Sequence, residues 1–361
     1  MAAFPPTMQA AVLHAARDLR LEEVNVPRPG PGELLLEVET VGVCGTDASE
    51  YDHGPILFPL ERRHPVTGHA GPLIPGHELS GRVVRMGPGV EGFTEGDLVA
   101  SAGSASCGEC RFCVTGRSSR CDRYWAVGLH RDGALAGYCT VPAAACVSVG
   151  PLGITSDAAA LAQPMAIAVH ALRRGGITGA EEVLVIGAGG IGSFVTYAAA
   201  AAGCAVTTVD LDPDRLVTAA ALGATTTTLV DPDAAVDGLE AEVVFEITGS
   251  VAGLRTGLGA LVPCGRLVAV GFQRTSIELD LAALTTNELE WVGSNGIDTA
   301  IDLPEAARLL AGRATPWTDV APTVLPLGEV EMALKRMTAG AKGPIKTLIS
   351  PRVQRSRPAL M

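Results

Sequence analysis

The chain has 361 residues, of which 47% are apolar, and a formal net charge of -12. This length exceeds the usual size of one hydrophobic core and favours two domains. The negative charge disfavours binding to a phosphate backbone or an anionic membrane. No apolar run approaches the length of a membrane span. We therefore predict a soluble globular protein with neither a nucleic-acid nor a membrane partner.

Glycine, proline and valine dominate the first 156 residues or so, and helical periodicity is weak there, which predicts mostly β-structure. This part contains Cys44 and, further along the chain, two consecutive residues, His77 and Glu78. Together they offer a thiolate, an imidazole and a carboxylate, all of which bind zinc, and a mixed ligand set with an open position is typical of catalytic sites. The sequence therefore predicts a catalytic zinc held by these residues.

Four further cysteines follow with gaps of two, two and seven residues: Cys107, Cys110, Cys113 and Cys121. Four thiolates complete a tetrahedral shell around one zinc ion and leave no position for substrate, so this second zinc is predicted to be structural. The alternative is a disulfide pair or a set of surface cysteines. The N-terminus lacks a basic region followed by an apolar stretch, so secretion is not expected. We predict a reducing cytoplasm as the location, with the other cysteines, Cys44 apart, as small buried groups.

From residue 182 onward, short β-branched runs alternate with alanine-rich stretches, which predicts an α/β domain with a doubly wound parallel sheet. Strands are predicted at residues 183–186, 206–209, 243–245 and 267–270. Asp212 followed by Pro213 indicates the start of a helix, and Gly223 indicates its end. The tail after about residue 302 is predicted to hold a helix and a final strand near residues 345–349.

A glycine-rich turn follows the first strand of this region directly and opens into a helix. Its first glycine, Gly187, permits the tight turn, Gly189 lets the backbone approach a pyrophosphate, and Gly192 lets helix and strand pack closely. Asp210 ends the next predicted strand, where its carboxylate can accept hydrogen bonds from the adenosine ribose and repel a ribose phosphate, which favours NAD over NADP. The alternative is an ordinary glycine-rich turn without a cofactor. The predicted cofactor residues are Gly187, Gly189, Gly190, Ile191, Gly192 and Asp210.

The cysteine-rich segment, the motif Gly-His-Glu at 76–78 and the glycine turn occur in the order typical of one family. The chain resembles the zinc-dependent medium-chain dehydrogenase/reductase superfamily over nearly its whole length. This resemblance implies a GroES-like, mostly-β catalytic domain, residues 1–156 and 302–361, and a Rossmann domain, residues 157–301. The stretches at 50–56 and 64–68 are similar to an insertion found in the butanediol and polyol (sorbitol) dehydrogenase branch.

The resemblance implies that Cys44 and His77 hold the catalytic metal, with Glu78 and a later acidic residue as direct or alternating ligands. The later position is Gln163 here, where the family usually has glutamate. A neutral amide would leave the zinc a stronger Lewis acid, so our hypothesis is that Gln163 shifts the bound alcohol towards deprotonation. The alternative for Gln163 is a buried glutamine that only hydrogen-bonds to the backbone. The alternative for Glu78 is a charged residue next to the metal ligands that does not itself bind the metal.

Thr46 matches the family hydroxyl that passes the alcohol proton towards the nicotinamide ribose, and Asp47 matches the carboxylate that orients the zinc-binding imidazole. Ser49 stands where the family usually has the next relay residue, a histidine. The exit path of the proton is therefore open. The histidines of the insertion could replace the missing one: His53, His64 and His69.

A zinc site and an NAD site in one chain predict hydride transfer between a secondary alcohol and its ketone. The branch resemblance implies a vicinal diol, acyloin or small polyol as substrate and a homodimer or homotetramer, with a sheet edge near residues 290–292. An NAD-dependent sugar or amino-cyclitol dehydrogenase of specialised metabolism is the alternative. A non-catalytic redox-sensing protein is a more distant one, because Cys44, Thr46, His77 and Glu78 are all retained.

Overall fold

The computed structural model describes residues 4–231, 238–273 and 275–361. Two compact units are present: Met1–Gln163 with Asp298–Met361, and Pro164–Ile297. The boundaries expected from the sequence, at residues 156 and 302, remain a prediction. Across the described ranges, no helix combines the length and the apolar character that crossing a membrane requires.

The strands in chain order are β1 Thr7–Ala15, β2 Asp18–Asn25, β3 Glu33–Gly42, β4 Glu78–Met86, β5 Leu98–Ser101, β6 Ser104–Ala105, β7 Trp125–Ala126, β8 Tyr138–Pro142, β9 Cys146–Ser148, β10 Glu182–Ile186, β11 Ala205–Asp210, β12 Thr226–Leu229, β13 Ala241–Glu246, β14 Leu261–Ala269, β15 Glu290–Gly293, β16 Thr323–Pro326, β17 Leu348–Ser350 and β18 Arg357–Pro358. The α-helices are α1 Gly45–His53, α2 Ser156–Ala159, α3 Ala162–Arg174, α4 Gly192–Ala202, α5 Pro213–Ala221, α6 Val251–Gly259, α7 Leu281–Thr286, α8 Thr299–Gly312 and α9 Val330–Thr338.

The first unit is built on a largely antiparallel sheet with the strand order β18-β16-β17-β3-β4-β5-β9, and β8 also pairs with β3. β3 is its central strand, and apolar side chains of this strand such as Leu36 and Val38 are fully buried in the core of the unit. β17 belongs to the tail of the chain, yet it pairs antiparallel with β3, placing Leu348 opposite Gly42. The predicted mostly-β domain is therefore confirmed, and its sheet joins the beginning of the chain to its end.

A buried carboxylate also connects the tail to this unit. Asp157 is fully buried, and its oxygens accept hydrogen bonds from the Arg357 guanidinium at 2.6 and 2.9 Å and from the Leu360 backbone N–H at 2.7 Å. Thr40 on β3 donates to the same carboxylate at 2.6 Å. Buried charge is tolerated when it is paired and hydrogen-bonded in this way.

The second unit contains a parallel sheet of six strands in the order β12-β11-β10-β13-β14-β15. Strand order reverses between β11-β10 and β13, which is the doubly wound arrangement of nucleotide-binding folds. The four predicted strands correspond to β10, β11, β13 and β14. Asp212 caps α5, accepting a hydrogen bond from the Asp214 N–H at 2.9 Å, and Gly223 follows the helix with φ +102°. The predicted α/β class is confirmed.

Candidate active site

Cys44 lies at the point where β3 gives way to α1. It caps the N-terminus of the helix, and its backbone N–H donates to Asp47 Oδ2 at 3.0 Å, while the Asp47 backbone N–H returns a bond to the Cys44 side chain. Thr46 Oγ1 lies 3.7 Å from Cys44 Sγ.

His77 and Glu78 reach the same place through strand pairing. β3 and β4 are antiparallel, and their register sets Gly42 opposite Glu78. Residues more than thirty positions apart in the chain therefore become neighbours. The candidate ligand atoms of Cys44, His77 and Glu78 all lie within 4.8 Å of one another.

Buried polar atoms without hydrogen bonds provide a test of whether a metal fits here. Asp47 Oδ1, His77 Nδ1 and Glu78 Oε1 are all shielded from solvent and lack a hydrogen-bond partner, which is rare unless another group satisfies them. Burial alone would lower the pKa of His77, but Asp47 and Cys44 outweigh it and raise that pKa well above its usual range. The cluster thus attracts positive charge. Its thiolate, imidazole and carboxylate suit zinc, and Asp47 Oδ1, 3.5 Å from His77 Nδ1, is placed to orient the ring.

Lys346 is a residue of this site that the sequence reasoning missed. Its side chain is only 5% exposed, and its Nζ lies 2.5 Å from Glu78 Oε2 and donates to the Val43 carbonyl oxygen at 3.0 Å. Burial lowers the pKa of Lys346, but Glu78 and Cys44 raise it by more, so the ammonium group stays charged. A signal was present in the sequence, because this lysine lies two residues before the apolar residues of β17.

Gly42 provides the room for this arrangement. A Cβ atom at this position would lie 2.2 Å from Glu78 Oε2, closer than any real contact. The absence of a side chain therefore lets the Glu78 carboxylate lie against the end of β3.

The remaining predicted residues of this site lie on α1, α3 and the insertion. Ser49 is half-buried on α1, and Gln163 is the half-buried second residue of α3. The insertion histidines have partners within their own part of the chain. The His53 and His69 rings lie near Asp52 and the Pro72 carbonyl, and His64 Nδ1 accepts from the Thr67 N–H. Coordination by Gln163 and the proton exit remain predictions.

The cysteine-rich segment gathers its four sulfur atoms within 4.8 Å of one another, and all nine cysteines of the chain are free thiols. Hydrogen bonds from the backbone N–H groups of Glu109 and Cys110 lower the pKa of the Cys107 thiol to about 6. Burial raises the pKa of the Cys121 thiol to about 11. Four sulfur atoms this close together, with backbone N–H groups pointing at them, fit a closed zinc site made of four thiolates. The predicted disulfide alternative finds no support.

This cysteine-rich segment is also attached to the first helix of the tail. The Ser118 hydroxyl and the Ser119 backbone N–H both donate to Asp298 Oδ1 at 3.0 Å, and the Ser104 and Thr299 hydroxyls lie 2.8 Å apart. Asp298 is the residue just before α8, where the chain returns to the first unit.

The glycine turn has the geometry of a pyrophosphate cradle. Gly187 has φ +97°, a conformation that favours glycine, and a Cβ at Gly192 would lie 1.7 Å from the Gly187 carbonyl oxygen. At Gly189, by contrast, an added Cβ would meet no backbone atom. The turn is thus tight on its inner side and open where a phosphate would lie, at the N-terminus of α4.

Asp210 ends β11 and is held beside this turn. Its Oδ2 accepts from the Ala188 N–H at 2.6 Å and its Oδ1 from the Asp212 N–H at 2.9 Å. Arg215, which the sequence reasoning did not single out, places Nη1 3.7 Å from Asp210 Oδ2 and is half-exposed. An anion and a cation therefore both lie at the predicted ribose position.

Comparison with known proteins agrees with this geometry. Residues 30–151 match the alcohol dehydrogenase GroES-like domain, and residues 190–312 match the zinc-binding dehydrogenase family. The erythritol/L-threitol dehydrogenase of Mycolicibacterium smegmatis is 33% identical over 96% of this chain and 98% of its own length. The chain belongs to the zinc-dependent medium-chain dehydrogenase/reductase family. Within it, the resemblance to the polyol dehydrogenase branch is confirmed.

Solved structures place this dehydrogenase in the same group. The 2R,3R-butanediol dehydrogenase of Bacillus subtilis has a TM-score of 0.86 at 27% identity, covering 96% of this chain and all of that one. A zinc-binding dehydrogenase from Sinorhizobium meliloti 1021, solved with NADP bound, has a TM-score of 0.84 at 28% identity, covering 96% and 99%. The protein is thus an alcohol dehydrogenase that uses zinc and a nicotinamide cofactor.

The two cysteine-containing clusters lead to a metal-content prediction. We expect two zinc ions per chain, measured by inductively coupled plasma mass spectrometry. Cys44→Ser should remove one of them and abolish turnover, while Cys110→Ser should remove the other and lower the melting temperature, because a structural zinc contributes folding free energy directly.

Cys264→Ser is the matched control, since Cys264 is exposed and belongs to neither cluster. It should keep both ions. Retention of two zinc ions by Cys44→Ser would contradict the assignment of the catalytic site.

Proposed function

We propose that this dehydrogenase is NAD-dependent and oxidises one secondary alcohol of a vicinal diol or small polyol to the ketone, or reduces the ketone. The observation that carries the proposal is the buried cluster of Cys44, His77 and Glu78, with its unsatisfied polar atoms. Zinc bound there supplies a Lewis acid that polarises the substrate oxygen. Cys44 and His77 bind the metal, and Asp47 holds the His77 ring in place.

Movement of the alcohol proton is assigned to Thr46. Its hydroxyl is half-buried on the first turn of α1 and lies close to Cys44 Sγ. From that position it can accept the substrate proton and donate its own onward. Ser49 lies one helical turn further along α1 and provides the next hydroxyl of the proposed relay.

The substrate class is supported by the relatives and by the insertion. Two of the similar proteins described above are called dehydrogenases of erythritol or L-threitol and of 2R,3R-butanediol, and all of these compounds carry neighbouring hydroxyls. The insertion that suggested the same branch is held firmly beside α1, because the buried Glu50 carboxylate accepts hydrogen bonds from the backbone N–H groups of Ile56, Leu57 and Phe58. A fixed loop of this kind can define the shape of a substrate pocket.

NAD is proposed over NADP because the Asp210 carboxylate lies where the adenosine ribose is predicted to bind. The negative charge of this carboxylate would repel the additional phosphate on the ribose of NADP. Arg215 is the counter-argument, since a half-exposed guanidinium could pair with that phosphate, and one solved relative binds NADP. The fixed, twice hydrogen-bonded Asp210 is less able to move aside than Arg215, which decides the proposal.

A substrate panel tests the proposal. Nicotinamide absorbance is followed with NAD and with NADP for the separate stereoisomers of 2,3-butanediol, erythritol, threitol, sorbitol, simple secondary alcohols and amino-cyclitols. We expect reduction of NAD with a vicinal diol or polyol, and a kcat/KM for a lone secondary alcohol lower by about tenfold or more, because a missing hydroxyl leaves polar groups of the site unpaired. Activity confined to amino-cyclitols or sugars would replace the substrate class proposed here.

Replacement of Gln163 tests its proposed place at the metal. Gln163→Glu adds a negative charge, which should weaken the Lewis acid and move the alkaline pH dependence of kcat to higher pH, since the alcohol then loses its proton less readily. The pH-rate profile and the zinc content are the measurements. If both are unchanged, Gln163 is a structural glutamine; Gln9→Glu, on β1, serves as the charge control.

A homodimer or homotetramer in the cytoplasm completes the proposal. β15 is an edge strand of the parallel sheet, and Trp291 on it is 37% exposed. Such an edge can pair with a second copy. None of the nine cysteines, all of which lie within the described residues, forms a disulfide, which is consistent with a reducing compartment. Sedimentation velocity should show two or four chains, and Trp291→Lys should shift the species towards one chain; a wild-type monomer would refute this assembly.

A further inference from the structure

Lys346 connects two parts of the catalytic cluster. Its Nζ contacts the Glu78 carboxylate at 2.5 Å and the carbonyl of Val43, the residue before Cys44, at 3.0 Å. It arrives from the tail of the chain, two residues before β17, which pairs with β3. A single buried ammonium group therefore contacts one candidate ligand and the backbone next to another.

Several acidic groups lie near this ammonium group, and His77 is placed against one of them, Asp47. Cys44, Asp47 and Glu78 all carry negative charge when ionised, and the latter two are buried. Lys346 is the only lysine or arginine whose ion pair with one of these residues is recorded within the described ranges. Burying a charge without a partner is costly, so Lys346 keeps the Glu78 carboxylate stable when no metal is present.

The same ammonium group opposes metal binding. A fixed positive charge beside a ligand carboxylate repels a divalent cation through an interior that screens poorly. It also forms an ion pair with Glu78 Oε2 at 2.5 Å, although neither carboxylate oxygen of Glu78 has a hydrogen-bond partner with favourable geometry. The outer partners of metal-binding histidines are usually hydrogen-bond acceptors, which raise ligand basicity and affinity. A cation in that position acts in the opposite direction.

We propose that Lys346 is a positioning residue that holds Glu78 by its Oε2 atom and so limits the affinity of the catalytic site for zinc. It takes the place of part of the metal charge in the metal-free protein and competes with zinc for Glu78 in the loaded one. Its consequence is a site that keeps Glu78 from becoming a permanent ligand, so a coordination position stays available to substrate. This inference rests on the catalytic metal site proposed above.

The test is zinc affinity, measured by competition with a chromophoric chelator, on the metal-free and zinc-loaded full chain. Lys346→Met removes the charge and keeps most of the side-chain length. We expect its catalytic site to bind zinc about tenfold or more tightly than wild type. The metal-free variant should melt at a lower temperature, because Glu78 is left unpaired, and the increase in melting temperature on zinc binding should be larger.

Two single variants serve as controls. Lys346→Arg keeps the charge and should retain an affinity close to that of wild type. Lys335→Met removes a lysine from an exposed ion pair with Glu331. It should change neither the zinc affinity nor the increase in melting temperature on zinc binding. Equal or weaker zinc binding by Lys346→Met would overturn the proposal.

A double variant keeps the test decisive if Lys346→Met alone does not fold. Glu78→Gln leaves the cation unopposed and should weaken zinc binding, and adding Lys346→Met to it should restore affinity by about tenfold. No recovery refutes the role of Lys346. Failure of the underlying metal site would look different, because wild type and Cys44→Ser would then bind the same number of zinc ions.

Discussion

The antiparallel pairing of β3 with β4 is the constraint on which the catalytic cluster depends. Its register sets Gly42 opposite Glu78, and the turn after β3 then delivers Cys44 to the N-terminus of α1. A slip of one residue would point the Glu78 side chain to the other face of the sheet and dismantle the cluster. The fully buried side chains on β3 fix this register, because shifting the strand would expose them.

The close contact at Gly42 shows how tightly geometry and charge are linked. Without a side chain at Gly42, the Glu78 carboxylate fits against the strand end, within reach of Lys346. The cluster thereby places a fixed cation, a carboxylate and a helix N-terminus around one metal position. Each element is supplied by a different part of the chain, so the electrostatic environment of the metal is a property of the whole sheet.

Much of this could be predicted from the sequence because the signals are local. The spacing of the four cysteines, the glycine turn after an apolar run, and Asp212 before Pro213 each encode a structure within a few residues. β12 was not predicted, because its run of threonines is mostly exposed and lacks the alternation of a half-buried strand. Lys346 and Arg215 were missed for another reason: their importance comes from contacts with Glu78 and Asp210 that only folding creates.

The attachment of the cysteine-rich segment to Asp298 has a consequence for how metal loss would affect the molecule. Ser118 and Ser119 hold the residue at which the polypeptide re-enters the first unit. The conformation of these serines is set by a loop that four thiolates brace. Oxidation of those sulfurs would therefore loosen the surface loop and also the contacts that hold Asp298. The damage would reach the backbone segment through which the chain returns from the second unit to the first.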